Sequence, residues 1–477
     1  MTSKLTLGIF ILAGLYGSSF AEEKNPSSSK QFDTLYSLLD VYKLAYKNNA
    51  QFQADVANFK SQKENVPISL GALLPSVSVS YSLTENYSNP TVFTNDKTFP
   101  TYGPELSASQ TLFDWSSWKT YTSAQYTLKA NAIVLAQKQQ QLISDTVQDY
   151  FSVLNNQELV KVSQASQKWN KNLYDQAQQK YEVGVIPVSD VQSAKANYEQ
   201  AKAQLIQDYN QLLTSIYNLK QLTGVTINQL DDLKADFPFT PPSPDNVDKW
   251  LSIAMVDNLT IVQNQFLVQA ADENIGVAWG NFFPSFAATG TLSKTTSFQT
   301  DYTTGQSESL QPTTGSIGIQ GSWNILSGGS DYATLKQNQY SLDNANFNLE
   351  QSKRTTEASL KQAFLNVESD ISIITAFEQA VIAGKYSVDT MQAQYEVGTS
   401  TIVDLLNQQQ QYVQSQQQLA NSKYQYINDL IALKFQAGTL SMKDVESINI
   451  WLANTKNSSA KPTRDKTTPI TTASNAN

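Results

Sequence analysis

The feature that most constrains this chain is a tetrapeptide that occurs twice, Tyr181-Glu182-Val183-Gly184 and Tyr395-Glu396-Val397-Gly398. The same spacing relates further identical pairs on both sides of it: Tyr126 and Tyr340, Asp190 and Asp404, Tyr198 and Tyr412, Leu205 and Leu419, Leu219 and Leu433, and Gly224 and Gly438. Upstream, a slightly shorter spacing relates Asn49 to Asn258, Gly71 to Gly280 and Pro75 to Pro284. We therefore interpret the chain as two copies of one unit, repeat 1 over residues 32–225 and repeat 2 over residues 246–440.

The composition removes several classes of chemistry. The chain has no Cys and no His, which excludes disulfides, thiolate or imidazole metal sites and Ser-His or Cys-His nucleophile pairs. We therefore predict no catalytic residue, no metal site and no cofactor, and no enzyme, although carboxylate-only chemistry stays possible. A net charge of −9 argues against nucleic acid as a partner, because phosphate binding needs clustered Lys and Arg.

Three segments lie outside the two repeats. Residues 1–21 are predicted to be a secretory signal peptide, with Lys4 before an apolar run and a small-x-small cleavage site ending at Ala21. The alternative, a membrane anchor, needs about 20 apolar residues, and this run is shorter. Residues 226–245 contain four prolines after Asp236 and are predicted to form a stiff linker. The polar tail 454–477 is predicted to be disordered.

Each repeat is predicted to change from helix to strand after a shared Gly-to-Pro segment. In repeat 1 a helix from about Phe32 to Val66, ended by Pro67, precedes this segment. Apolar residues then alternate with small polar ones, as expected for half-buried strands. The apolar sets are Val77, Val79, Tyr81 and Leu83; Leu106, Ala108 and Leu112; Phe286, Ala288, Gly290 and Leu292; and Ile317, Ile319, Trp323 and Ile325. Residues 88–103 and 294–314 are predicted to be exposed loops.

The strands are followed by two long helical stretches. Residues 117–183 contain neither Gly nor Pro, and after Asp331 the next Gly is Gly384. Each stretch ends at the repeated tetrapeptide and is predicted to turn into a returning helix. The returning helices carry an apolar or aromatic residue at every seventh position, which predicts coiled-coil packing: Val191, Tyr198, Leu205, Leu212 and Leu219, and Leu405, Tyr412, Leu419, Tyr426 and Leu433.

The strands are suited to a membrane only if several chains combine. Strands of about ten residues can cross a bilayer, but the smallest membrane barrels use eight strands and each chain offers four. An open sheet would leave backbone groups unpaired in lipid. Aromatic residues gather where strands meet helices, which favours a membrane–water interface, although a soluble core cluster is the alternative: Phe113, Trp115, Trp118, Trp279, Phe282 and Phe283.

Each repeat contains a helix, two strands and a long helical hairpin. This duplicated arrangement resembles the TolC family of outer-membrane efflux proteins, also called outer membrane factors. The resemblance covers residues 32–450 and includes both tip motifs, YEVG followed by IPVSDV at 186–191 and by TSTIVDLL at 399–406. It implies a mixed α/β membrane protein. Three chains would share a 12-stranded transmembrane β-barrel, four strands per chain, continuous with a long α-helical coiled-coil barrel.

The resemblance also implies a location and partners. The location is the outer membrane of a Gram-negative bacterium, with a large periplasmic part in contact with a periplasmic adaptor (membrane fusion) protein. An inner-membrane RND or ABC transporter would deliver drugs, toxins or proteins to the channel, as in a tripartite efflux pump or a type I secretion system. The remaining alternative is a structural coiled-coil surface protein, a fibre or adhesin, that does not conduct.

The resemblance places candidate residues at the hairpin tips. Asp404 would line the periplasmic entrance, where a ring of three carboxylates favours cations. Asp404 and Asp190 are also placed near helix N-termini, where the dipole favours acidic residues, and Thr401-x-x-Asp404 matches a capping box. Tyr395 and Asp190 match two members of the family's gate, or Tyr395 simply packs. The family's Arg is Ser400 here, and its second acidic position is Asn407.

The repeated tetrapeptides supply the last candidates. Gly184 and Gly398 are predicted to be turn residues with positive φ. Together with Val183 and Val397 they form the hairpin tips, and the resemblance implies that these tips contact the adaptor.

Overall fold

The computed structural model describes residues 35–88, 97–227, 229–300 and 307–453. The predicted signal peptide 1–21 and the predicted tail 454–477 lie outside the described residues. The described part of the chain is mostly helical. It contains a six-stranded antiparallel sheet near the junctions between shorter and longer helices, and a separate two-stranded sheet. No helix in this part is both long enough and apolar enough to cross a membrane.

The helical segment before the first strand differs from its prediction. It consists of α1 (Leu38–Asn48), α2 (Ala50–Lys63) and α3 (Asn65–Gly71). Pro67 does not end it, because Pro67 lies in the first turn of α3, where a missing N–H costs nothing. The break at Asn49 arises because the Asn49 side chain accepts a hydrogen bond from the Phe52 N–H and so starts a new helix.

The corresponding segment of the second half contains the same break. Here α6 (Val247–Asp257) and α7 (Leu259–Gly280) meet at Asn258. The Asn258 side chain caps α7 and donates to the Gln436 carbonyl at 2.7 Å, while the Asn49 side chain donates to the Leu222 carbonyl at 3.2 Å. Each Asn therefore ties the start of one helix to the last turn of a distant one.

Four long strands form most of the sheet. They are β1 (Ser76–Ser88), β2 (Lys97–Phe113), β4 (Ser285–Lys294) and β7 (Thr313–Ser322), and they pair antiparallel in that order. Two short strands, β5 (Thr296–Thr300) and β6 (Ser307–Leu310), extend the sheet beside β2 within the predicted loop 294–314. The predicted loop 88–103 is likewise shorter than expected, since β2 already begins at Lys97. The fourth strand ends at Ser322, so Trp323 and Ile325 are not part of it.

The strand register gives the sheet two chemically different faces. Directly paired residues of antiparallel strands share a face, and the register pairs Val79 with Leu106 and Leu106 with Leu292. One residue along, Ser78 pairs with Ser107, which pairs with Thr291 and then Ser316. Hydroxyl–hydroxyl hydrogen bonds of 2.7 Å join Ser78 to Ser107 and Thr291 to Ser316. One face is therefore apolar and the other is lined by hydroxyl groups.

Both edges of the four-stranded order are unpaired within the described residues. Strand β1 pairs only with β2, and β7 pairs only with β4. The apolar face is also uncovered: Val79 is 75% exposed and Ile317 is 92% exposed. A single chain therefore leaves both backbone hydrogen-bonding groups and apolar area without a partner.

The long helices match their predictions. The first hairpin consists of α4 (Trp115–Glu182) and α5 (Val188–Thr223), and the second of α8 (Ser330–Glu396) and α9 (Ile402–Gln436). A helix of 68 residues is about 100 Å long. All ten heptad positions of α5 and α9 are buried or half-buried. The heptad pattern therefore marks the packed faces of both returning helices.

The main core lies at mid-length of the long helices. Tyr150 and Phe151 of α4 are fully buried there, with ring centroids 5.4 Å apart. Other helices contribute apolar residues around them, notably Leu38 of α1, Leu360 of α8 and Ile427 of α9. Two short elements close this region, α10 (Met442–Asn449) and the strand β8 (Leu452–Ala453).

The segment predicted as a linker packs against this core. Its strand β3 (Asp232–Leu233) pairs with β8, and the Tyr150 hydroxyl donates to the Asp231 carbonyl at 2.7 Å. Phe239 lies edge-on to Tyr426, whose hydroxyl donates to the Thr240 carbonyl at 2.7 Å. The proline-containing segment is therefore a connection between the repeats that packs against the core along its length.

The aromatic residues at the strand–helix junctions lie together. Trp115 and Phe283 have ring centroids 6.1 Å apart, and Trp279 and Phe282 are 5.5 Å apart. Each of the four is more than a third exposed, so they do not form a buried core within this chain.

Candidate functional site at the hairpin tips

Both helical hairpins turn through the same backbone motif. At the first tip the Gly184 N–H donates to the Tyr181 carbonyl and the Val185 N–H to the Lys180 carbonyl. At the second tip the Gly398 and Thr399 N–H groups make the corresponding bonds to Tyr395 and Gln394. This pair of backbone hydrogen bonds is the Schellman motif, which requires a residue in the left-handed conformation at the turn. Gly184 and Gly398 have φ of 75° and 79°, as the sequence predicted.

The two returning helices begin differently. At α9, Thr401 and Asp404 form a capping box, in which the Asp404 carboxylate accepts from the Thr401 hydroxyl at 2.6 Å and from its N–H at 3.3 Å. At α5 the N-cap is Pro187, which has no side-chain hydroxyl or carboxylate to offer. Asp190 lies in that first turn, where its carboxylate accepts from the neighbouring Ser189 hydroxyl. Asp404 therefore has a structural role, and its carboxylate remains exposed to solvent.

An apolar cluster joins the tips of the two hairpins. Leu173, Ala177, Val191 and Ala194 come from α4 and α5, and Tyr395, Ile402, Leu405 and Leu406 come from the second hairpin. Tyr395 is only 8% exposed, so the packing role that the sequence left open is present. Its hydroxyl is buried and has no hydrogen-bond partner among the described residues. Burial, and to a smaller extent the charge of Asp190, raise the pKa of Tyr395.

The other predicted tip residues are more exposed. Val183 and Val397 are each 74% exposed, which leaves apolar side chains in solvent at both tips. Asn407 is exposed on α9, and Ser400, at the position of the family's Arg, donates its hydroxyl to the Met391 sulfur at 2.9 Å. The side-chain hydrogen bond of Ser400 therefore stays within the second hairpin.

One tip residue was missed by the sequence analysis. The Lys180 ammonium lies 4.4 Å from the centroid of the Tyr395 ring, so it connects the last turn of α4 with the last turn of α8. The only sequence signal was its place beside the repeated tetrapeptide, which does not reveal the facing residue.

A polar cavity of about 140 Å³ lies beside the apolar cluster, between α4, α5 and α9. Its walls are mostly amides and carry no charged side chain: Ser166, Asn170, Asn197, Gln200, Ala201, Gln204, Leu406, Gln409, Gln410, Val413, Gln414 and Gln417. Amides can donate and accept hydrogen bonds equally, so the two hairpins meet here through groups that water can satisfy.

Comparison with known proteins identifies this arrangement. The sequence model of the family described as "Outer membrane efflux protein" matches residues 41–225 and 250–439, most of the chain. The chain belongs to the outer membrane efflux protein family. Members are channels of the outer membrane and not enzymes, and this chain is accordingly an outer-membrane export channel. The assignment argues against the fibre or adhesin alternative.

Individual relatives and solved structures agree with this family. The chain is 29% identical to outer membrane protein TolC of Escherichia coli (strain K12), over 92% of this chain and 88% of that protein. It is 24% identical to the alkaline protease secretion protein AprF of Pseudomonas aeruginosa, over 86% of each. Among solved structures, the Campylobacter jejuni CmeC outer membrane channel superposes with a TM-score of 0.72 at 19% identity, covering 90% of this chain and 95% of that one.

Proposed function

We propose that this outer-membrane efflux protein acts as a homotrimeric export duct in which three chains build one continuous passage. The observation that carries the proposal is the register of the sheet, which places apolar residues on one face and hydroxyl groups on the other. A sheet in lipid needs an apolar outer face and no free edge. Three copies of the four long strands would join β1 of one chain to β7 of the next and close a 12-stranded barrel.

The long helices continue the passage on the other side of the membrane. With lengths of about 100 Å, α4 and α8 are long enough to form a helical barrel that reaches far into the periplasm. The heptad stripes of α5 and α9 pack each returning helix onto its neighbour. In this assembly the hairpin tips lie at the periplasmic mouth.

The mouth is proposed to act as a gate and a charge filter. Three copies of Asp404 would form an acidic ring that favours cations. Tyr395 packs in the tip cluster beside that ring, and the charge of Asp190 acts on its hydroxyl. With Ser400 and Asn407 in place of charged residues, the closed state depends less on ionic links than the family pattern implies.

The tips are also the proposed docking site for partners. Gly184 and Gly398 set the turns, and Val183 and Val397 supply exposed apolar contacts for a periplasmic adaptor. An inner-membrane RND or ABC transporter would then deliver the cargo. The relatives include an alkaline protease secretion protein and the outer membrane efflux protein BepC of Brucella suis, which supports both protein secretion and efflux as modes of export.

Electron microscopy of the detergent-purified protein, combined with planar-bilayer recording, tests this function. We expect a hollow threefold tube, on the order of 100 Å long or more, that inserts and conducts ions. A solid rod or a compact monomer without conductance would contradict the duct and return the fibre reading to consideration.

A further inference from the structure

Glu105 is the only charged residue in the parts of the four long strands that carry the two-faced pattern. Every other residue in these parts is apolar, aromatic or polar without charge: residues 76–84, 101–113, 285–293 and 314–322. A charged group at membrane depth is costly, so such a group usually has a function. The Glu105 side chain is exposed, and it has no ion-pair partner among the described residues.

The strand register places Glu105 on the hydroxyl face of the sheet. Glu105 pairs with Ser80 of β1 and with Ser293 of β4. Ser293 pairs in turn with Thr314 of β7. Because directly paired residues of antiparallel strands share a face, Glu105 lies in a row with one hydroxyl-bearing residue from each of the other three long strands.

The position of Glu105 along the strands corresponds to the middle of the apolar run on β1. Its partner Ser80 is the central residue of the run 77–83, in which apolar or aromatic side chains alternate with serines. In the proposed barrel this run crosses the lipid, so the lumen is the aqueous space that the carboxylate reaches. Glu105 is also remote from the hairpin tips, because α4, about 100 Å long, separates β2 from the first tip.

The charge of Glu105 is not compensated on its own strand. The other charged residue of β2 is Lys97, which lies about 27 Å further along the strand. This separation exceeds the Debye length of about 10 Å at 0.1 M salt. A carboxylate in a row of neutral hydroxyl groups therefore sets the sign of the electrostatic potential at that level of the face.

We propose that Glu105 is a selectivity-determining residue of the barrel, where its carboxylate attracts cations and rejects anionic solutes. Three chains would place three such carboxylates at one level of the lumen, an arrangement that favours cations in other pores. This inference deepens the proposed function and depends on it for the closed barrel. The face on which the charge lies depends only on the strand register, so it can be tested separately.

Chemical labelling beside Glu105 tests the charge on the hydroxyl face directly. Because the chain has no Cys, Ser80→Cys introduces a unique thiol directly opposite Glu105. We expect a cationic thiosulfonate reagent to modify this thiol faster than an anionic one of similar size. Adding Glu105→Gln should lower the ratio of the two rates by roughly three- to tenfold at about 0.01 M salt, and by much less at about 1 M salt.

Two further variants separate this effect from a general loss of charge or of structure. Glu85→Gln is the matched control, because Glu85 is an exposed carboxylate of β1 on the other face of the sheet. It removes the same charge from each chain and should leave the ratio of rates unchanged. Glu105→Asp keeps the charge and should also keep the ratio. Gel mobility of unheated samples shows whether each variant assembles.

Reversal potentials in planar bilayers measure the consequence for transport. In a salt gradient, Glu105→Gln should lower the permeability ratio of cations to anions by roughly two- to fivefold, whereas Glu85→Gln should not change it. An unchanged ratio of labelling rates in Glu105→Gln, or an unchanged permeability ratio in a protein that conducts, would overturn the inference. Absent conductance in the unchanged protein would contradict the duct itself, and labelling distinguishes the two failures because it needs no conductance.

Discussion

Asp404 combines a local structural bond with an exposed charge. Its carboxylate completes the capping box with Thr401. The same carboxylate is the one that we propose for the acidic ring at the mouth of the duct. The two roles can be separated by substitution. The capping box needs the side chains of both Thr401 and Asp404, whereas the proposed ring of three carboxylates needs only the charge of Asp404.

We predict that Asp404→Ala weakens block by multivalent cations from the periplasmic side by about an order of magnitude, since three charges leave the ring. Thr401→Ala should cost about 1 kcal/mol of helix stability but keep the block, because Asp404 stays charged. Blocker titrations in planar bilayers measure the first effect and thermal unfolding the second. Equal block in Asp404→Ala and the unchanged protein would leave Asp404 as a cap alone.

A second acidic residue lies in the main core, far from the tips. Asp370 of α8 is 8% exposed, and its Oδ2 atom is buried without a hydrogen-bond partner among the described residues. The neighbouring carboxylate is that of Asp429 of α9. Burial, and then the neighbouring carboxylate, raise the pKa of Asp370 to about 7. The folded protein therefore holds a proton here that the unfolded chain loses near its ordinary value of 3.8.

The difference between the folded and unfolded pKa of Asp370 determines how the free energy of unfolding changes with pH. Between about pH 4 and 7 the folded state binds more protons than the unfolded state, so this group lowers the free energy of unfolding as pH rises. We predict that Asp370→Asn stabilises the protein above pH 7, by on the order of 2 to 4 kcal/mol, and flattens the dependence between pH 4 and 7. Melting temperatures in detergent across that range measure both effects. Asp389→Asn, exposed on the same helix, is the control and should shift the melting temperature little.

At the scale of elements, the two hairpin turns depend on one residue each. Gly184 and Gly398 adopt the left-handed conformation that other residues reach only at a cost. We predict that Gly184→Ala and Gly398→Ala each destabilise the protein by about 1 kcal/mol. Gly71→Ala is the matched control, because Gly71 ends α3 with normal φ and an added methyl group there meets no atom within 4 Å. Melting temperatures compare the three variants, and a loss at Gly71 equal to that at the tips would contradict the turn argument.

The elements also show which patterns the sequence reveals. The long helices and their turns were predicted because missing glycines, heptads and the repeated tetrapeptide are local signals. The break at Asn49 was missed because the Leu222 carbonyl, a distant partner, helps to fix it. Strands β5 and β6 were missed because Thr296–Thr300 and Ser307–Leu310 have no regular apolar alternation.

In the candidate site, too, the features with local sequence signals were predicted and those that depend on distant residues were missed. The positive φ of Gly184 and Gly398 could be predicted, since it depends on the turn alone. The contact of Lys180 with Tyr395 could not, because it depends on how two hairpins far apart in sequence are rotated against each other. The roles of Asp404, Asp190 and Asn407 at the mouth stay predictions.

At the scale of the whole molecule, the two faces of the sheet should respond differently to charge. We predict that Ile317→Arg on the apolar face costs about 2 to 4 kcal/mol near the membrane midplane and reduces the amount of trimer. Ser316→Arg, the neighbouring residue on the hydroxyl face, should assemble and alter ion selectivity instead. Gel mobility of unheated samples measures assembly. Equal losses from both substitutions would contradict the orientation of the sheet.

The unpaired edges of β1 and β7 have a consequence for how the molecule is made. A strand edge that only another chain can cover stays open until two chains meet, so completion of the sheet becomes a collision-limited step whose rate rises with the concentration of exported chains. Until then each chain has two unpaired edge strands, which can form backbone hydrogen bonds with the wrong polypeptide. Slow export or a low copy number would therefore lengthen the period in which the nascent chain needs protection by a chaperone.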